Sequence, residues 1–177
     1  MKDVERILGT RKAKALPMSL LLTTSAIAMA VMMVSTAWGG AVPKATGSAT
    51  IERSPGGATF TVELVAFDYG ASGDRGMFTY TDDNGYYVLK VASTRILAES
   101  MMAIFTGPVV EGNYPGIGIG TWVVIMVLDG GEPAYGADGC MGWLQSGETA
   151  ALNDVATLTD SPYGWLYAIE GNIQVHV

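Results

Sequence analysis

Two contrasting stretches open the chain. Lys2, Arg6, Arg11, Lys12 and Lys14 form a basic head, and an apolar run follows from Leu20 to Trp38, with no charge between Ala15 and Ala41. The run closes on Ala37-Trp38-Gly39, a small-x-small triplet. Basic, apolar, cleavable is the order of an export signal. Its 19 apolar-run residues exceed the roughly 7–15 of most signal cores and approach the roughly 20 of a spanning helix. Residues 1–39 therefore read either as a signal peptide cut after Gly39 or as an N-terminal membrane anchor through residues 15–38. Both readings place residues 40–177 on the outer side, secreted or on the extracellular face, because the positive head stays inside.

Beyond the leader the pattern changes to period two. Residues 40–46 read as an unpacked linker and Gly47–Glu52 as a first strand, ended by the Ser54-Pro55-Gly56-Gly57 turn. Phe60, Val62 and Leu64 alternate with Thr59, Thr61 and Glu63, which predicts a strand with one buried and one wet face. The phase blurs at Val65-Ala66-Phe67, where a bulge is expected. Met77–Thr81 and Tyr86–Val91 predict a hairpin turned by Asn84-Gly85, the pair suited to a type I′ turn. Thr94–Met102 fits a strand or a short helix, with strand preferred, and Met102–Val110 is strand-like.

Trp122 to Leu128 is an unbroken apolar run, too short to span a bilayer, and predicts a central strand covered on both faces. Cys140–Gln145 reads as a return strand. Ser146–Ser161 reads as a long polar connection, and Trp165–Val177 as the closing strand. Short strands with frequent turn signals predict one antiparallel all-β domain over residues 47–177, a β sandwich or a closed β barrel. The pattern does not separate the two.

Charge and rare residues narrow the function. Residues 40–177 carry five basic and fifteen acidic side chains, a net charge of −10. Such a surface repels nucleic acid and anionic lipid and suits a soluble exported module. Cys140 is the only cysteine and His176 the only histidine. A single chain therefore holds no disulfide and no two-histidine zinc site, and a Ser-His-Asp triad or a Cys-His pair would have to be built on His176, next to the last residue. Cys140 reads as a small buried residue, and His176 as an exposed residue of the last strand.

Three motifs carry a resemblance. Asp129, Gly131, Glu132, Pro133 and Asp138 form an Asp-x-Gly-Glu-Pro turn with a following acid. Gly171-Asn172-Ile173-Gln174-Val175-His176 closes the chain. Gly76-Met77-Phe78-Thr79-Tyr80-Thr81-Asp82 forms a hairpin strand. Together these resemble small secreted β domains of bacteria and archaea, the post-COAP group, over roughly residues 47–177. Ala134 stands where that group's turn has a glycine. The resemblance implies a β architecture and an extracellular setting, and it transfers no catalytic residues.

The sharpest chemical candidate is Asp129, Glu132 and Asp138, three carboxylates on a Gly-rich turn that are able to surround one Ca2+ ion. Hairpin chemistry explains the same residues without a metal: Asp caps, Gly supplies positive φ and Pro ends the strand. Asp68, Asp74, Asp82 and Asp83 form a second acidic group, with a hydrolytic carboxylate pair as its remote alternative. Trp122, Trp143, Trp165, Tyr86, Tyr87, Tyr163 and Tyr167 offer either a sugar-stacking platform or core; a dry face is expected for Tyr163, Trp165 and Tyr167. Gly116, Gly118 and Gly120 resemble a phosphate loop only superficially, since no Lys-Ser/Thr ending follows. The reading that results is an exported, non-catalytic surface or interaction module with no cofactor, self-association through Asn172–Val177 being one way it acts. A calcium- or carbohydrate-binding module is the alternative, and a secreted carboxylate hydrolase the remoter one.

Overall fold

The computed structural model describes residues 41–54, 56–131 and 138–177, with only the backbone of Ala71. The leader, and with it the choice between signal and anchor, lies outside the described residues, as does Glu132. Among the described residues nine strands follow in order: β1 (Lys44–Glu52), β2 (Thr59–Phe67), β3 (Arg75–Asp82), β4 (Gly85–Lys90), β5 (Ser93–Leu97), β6 (Met102–Gly112), β7 (Trp122–Leu128), β8 (Gly139–Gln145) and β9 (Leu166–His176). They pair antiparallel in the order β4-β3-β2-β1-β9-β8-β7-β6-β5, and a further β4–β6 ladder closes the ring. With β5 standing as a spur on β6, the ring is a closed barrel of eight strands. The all-β expectation holds, and of its two forms the barrel is the one realised.

Closure depends on β6. Its first half, Met102–Thr106, pairs with β5, and its second half pairs with β4 between Val109 and Gly112. Gly107 stands at the change of partner. A Cβ there would lie 1.8 Å from the carbonyl oxygen of Lys90, so only glycine lets these two backbones approach.

The period-two pattern sorts side chains as it predicts. In β2, Phe60, Val62 and Leu64 are buried while Thr59, Thr61 and Glu63 are exposed. In β7, Val123, Ile125 and Val127 point into the barrel and Val124 and Met126 point out, and both sets are buried. The outward set is covered by helix α1 (Glu148–Thr157), whose Ala151 and Val155 pack on Met102, Ile104, Val124 and Met126. Arg95 fastens the end of this helix by donating to the carbonyl oxygens of Ala156 and Leu158, a cation placed where the helix leaves orphan acceptors.

Four details differ from the sequence reading. The polar connection 146–161 contains α1, whose only fully buried side chains are Ala151 and Val155, too few to announce a helix. The β3–β4 turn centres on Asp83-Asn84, with Asp82 opposite Gly85; Asp82 Oδ1 accepts the Asn84 N–H at 2.7 Å and forms the turn without positive φ at either residue. No bulge occurs at residues 65–67, where β1 and β2 stay in register; irregularities lie between β1 and β9, at Thr50/Ile51, and between β4 and β6, at Val88/Leu89. Finally, β1 begins at Lys44, inside the expected linker, because Lys44 to Thr46 already pair with β9.

Candidate functional site

The inward side chains of β3 run from apolar to polar. Phe78 lies in the core, Tyr80 follows one step toward the barrel end, and Asp82 ends the strand at the hairpin turn. Asp82 has little contact with solvent, its side chain being 4% exposed, so its charge requires partners. Its Oδ2 accepts from Arg53 Nη2 at 2.5 Å, from Tyr80 Oη at 2.8 Å and from Tyr114 Oη at 3.2 Å. Burial pushes the Asp82 carboxyl up, but the hydrogen bonds from Tyr80, Asn84 and Tyr114 outweigh it and hold the group below the ordinary carboxylate value. Burial also raises Tyr80, and donation to Asp82 adds to this, so its phenol stays protonated.

These four residues come from three places in the chain: Arg53 just past β1, Tyr80 and Asp82 on β3, and Tyr114 in the β6–β7 loop. Aromatic packing fixes them. Phe60 stacks on Tyr80 and Tyr80 on Tyr87, each pair with centroids 5.0 Å apart. Tyr114 meets Tyr80 and Tyr87 edge-on, and Arg53 lies over Phe60. Below the stack, a cavity of about 190 Å³ reaches Ile125, Cys140, Gly142 and Leu166. Tyr87 is 6% exposed and lines this cavity. Cys140 is buried as expected, and burial pushes its thiol up to about 12, which keeps it protonated and unreactive.

One wall of the barrel is thin. The β8–β9 ladder consists of Gly139 opposite Tyr167 and Cys140 opposite Leu166. From Met141 to Gln145, β8 has no β9 partner among the described residues. At the other end of the seam, β9 runs on past the start of β8, and side chains take over from a strand. Asp138 accepts the Ile173 N–H, and Asp129 Oδ2 accepts the Val175 N–H at 3.0 Å. Each also holds its own turn: Asp138 Oδ1 accepts from Gly130 N–H at 3.0 Å, and Asp129 Oδ1 from Gly131 N–H at 2.9 Å. The structure thus brings two members of the Asp129, Glu132, Asp138 set together, at the amides of the closing strand. No group of three acidic, His or Cys side chains able to hold a metal occurs among the described residues.

The second acidic group separates. Asp68 and Asp74 hold the β2–β3 loop against β5, accepting amides that include those of Tyr69 and Thr94. Burial raises the Asp74 carboxyl. Asp82 lies at the far end of β3, roughly 25 Å away at strand rise, and Asp83 is exposed beside it. No facing pair of carboxylates forms between the two ends.

The aromatic residues divide as well. Trp122, Trp143 and Trp165 are half-buried around α1, and Tyr87 is core while Tyr86 is half-buried. The dry face expected for Tyr163 and Tyr167 is not found: they are 66% and 52% exposed, and Ile169 beside them is 60% exposed. The bulge opposite Thr50/Ile51 turns Tyr167 outward, whereas Tyr163 lies in the turn before β9, edge-on to Trp143. Nor is Asn172–Val177 an open edge, since β1 pairs with it on one side while Asp129 and Asp138 occupy amides on the other. His176 is exposed, and Gly116–Gly120 lie in the β6–β7 loop ahead of a strand. Sequence reasoning passed over Arg53, Tyr80 and Tyr114; the one available signal was the inward order Phe78, Tyr80, Asp82, a strand face that ends in a charge. In comparison with known proteins, the chain matches no family, no curated protein and no solved structure.

Proposed function

We propose that this chain is an exported β-barrel module that acts by contact and does not turn over a substrate. The observation that carries the reading is the closed character of the barrel-mouth cluster. The Asp82 carboxylate is filled by Arg53, Tyr80 and Tyr114, and among the described residues no second carboxylate is hydrogen-bonded into the cluster. General acid–base catalysis needs a group with a free lone pair or proton within reach of substrate. The thiol of Cys140 is protonated and enclosed.

An exposed apolar patch remains where β9 begins: Tyr167 and Ile169 on its outer face and Tyr163 in the turn before it. Rigid amphipathic rings of this kind make large contacts at small entropic cost. A second copy of the chain or a component of the cell exterior is the partner this face suits. The basic-then-apolar leader supports export, and the acidic surface argues against nucleic acid.

The test is expression of the full chain with its leader, N-terminal sequencing of the exported material, and a screen against chromogenic glycoside, ester and peptide substrates. The expected result is an exported protein without turnover. Retention in the cytoplasm, or turnover that Asp82→Asn abolishes, overturns the reading.

A further inference from the structure

The cavity beneath the mouth is a separate feature, and nothing in the outer-face reading uses it. We infer that it is a binding site for a compact neutral aryl molecule bearing one oxygen acceptor, of the phenol or aryl-alcohol class, entering beside the β8–β9 seam.

Size sets the class. The cavity holds about 190 Å³. An apolar cavity of about 150 Å³ accepts benzene, so a single substituted ring fits here and a sugar chain or lipid tail does not. The walls suit a ring. Phe60, Tyr80 and Tyr87, stacked in a column, line the cavity together with Phe78 and Ile125.

Polarity sets the acceptor. Tyr87 lines the cavity, and its hydroxyl, which donates to none of the described residues, is open to that space and not sealed in the core. A ligand oxygen there gives it an acceptor. Charge sets neutrality: Arg53, the one cation on the lining, is already paired with Asp82, and an anion in this enclosure would go uncompensated. Access follows from the seam. Arg53, with its side chain 41% exposed, and the exposed Gly142 both border the cavity where β8 continues without β9.

The experiment is titration of the full chain with phenol and with toluene, read by NMR together with intermolecular contacts to the Ile125 methyls. Both probes are expected to saturate at millimolar concentration, phenol the more tightly, with ring protons close to Ile125. Tyr87→Phe keeps the space and removes the donor, so phenol binding is expected to weaken about tenfold while toluene binding is unchanged. Cys140→Leu fills the space and is expected to abolish both. If that variant does not fold, the Ile125 contacts in the wild-type chain locate the ligand. Absence of saturation by either probe, saturation without contacts to Ile125, or an equal effect of Tyr87→Phe on both probes overturns the inference.

Discussion

Asp138 accepts the backbone N–H of Ile173, joining the turn before β8 to the closing strand 35 residues later. Its neighbour Asp129 does the same for Val175. Two carboxylates thus stand where a strand would otherwise supply carbonyl oxygens, and they finish the barrel along the seam that β8 and β9 barely share. The geometry also gives the Asp-x-Gly turn and the Gly-Asn-Ile-Gln-Val-His ending a common purpose: one holds the other. Gly171 completes the fit, since a Cβ there would lie 2.3 Å from the Ser48 carbonyl oxygen.

Removing this clasp is expected to loosen the seam. Asp138→Ala orphans the amides of Ile173 and Gly130, and unpaired groups cost about 1–3 kcal/mol each when buried. Both sites are only part-buried, so the total expected loss is about 1–3 kcal/mol. Asp138→Asn keeps one acceptor and is expected to lose less. Urea denaturation measures both; equal stability of Asp138→Ala and wild type would remove the clasp from the account.

Calcium addresses the same residues. Asp129 and Asp138 already accept four backbone amides, so millimolar calcium is expected to leave the melting temperature where EDTA leaves it. A rise with calcium that disappears in Asp129→Asn would show that the turn collects further oxygen ligands.

The mouth cluster predicts an acid limb. The Asp82 carboxyl titrates lower in the folded chain than in the unfolded one, so the unfolded chain takes up the proton first on acidification. Its contribution is complete above the ordinary carboxylate value of about 4 and is lost as pH falls through the lower folded value. The stability gap between wild type and Asp82→Asn is therefore expected to narrow below about pH 4. Asp74, raised by burial, runs the other way: its contribution falls as pH rises from the ordinary value to the raised one. Thermal melts across this range decide, and a gap that stays constant with pH contradicts the cluster.

Cys140 is expected to resist modification. With its thiol pushed up to about 12, about one molecule in ten thousand is thiolate at pH 8. Reaction with a disulfide reagent should be slow in the native protein and fast in denaturant. Rapid native labelling would mean the seam opens widely.

The exposed patch at the start of β9 predicts contact. If Tyr163 and Tyr167 hold a second copy, sedimentation of the full chain shows a species above monomer that grows with concentration, and Tyr163→Ser with Tyr167→Ser suppresses it. A monomer at all concentrations, unchanged by the substitutions, assigns the face to a different partner.

Core deletion gauges the barrel itself. Phe78 is 1% exposed and touches the rings of Tyr87 and Phe105. Phe78→Ala is expected to cost about 3–5 kcal/mol by equilibrium denaturation, while Thr59→Ala, on the wet face of β2, stays within about 0.5 kcal/mol.

The sequence by itself determined the strands. Strict alternation at Phe60, Val62 and Leu64, and the unbroken run from Trp122 to Leu128, fix face and depth because a pleated strand has period two and only a doubly covered strand tolerates apolar residues on both faces. It also determined which catalytic sets a lone histidine and a lone cysteine exclude. Tertiary structure alone decided closure, since the switch of β6 from β5 to β4 at Gly107 is a long-range event with no local pattern. It decided the site for the same reason. Arg53, Tyr80, Asp82 and Tyr114 lie up to 61 residues apart in the chain and meet only when the barrel ring is complete. It also turned Tyr167 outward, because one additional residue in β9 shifts the phase of the side chains before it.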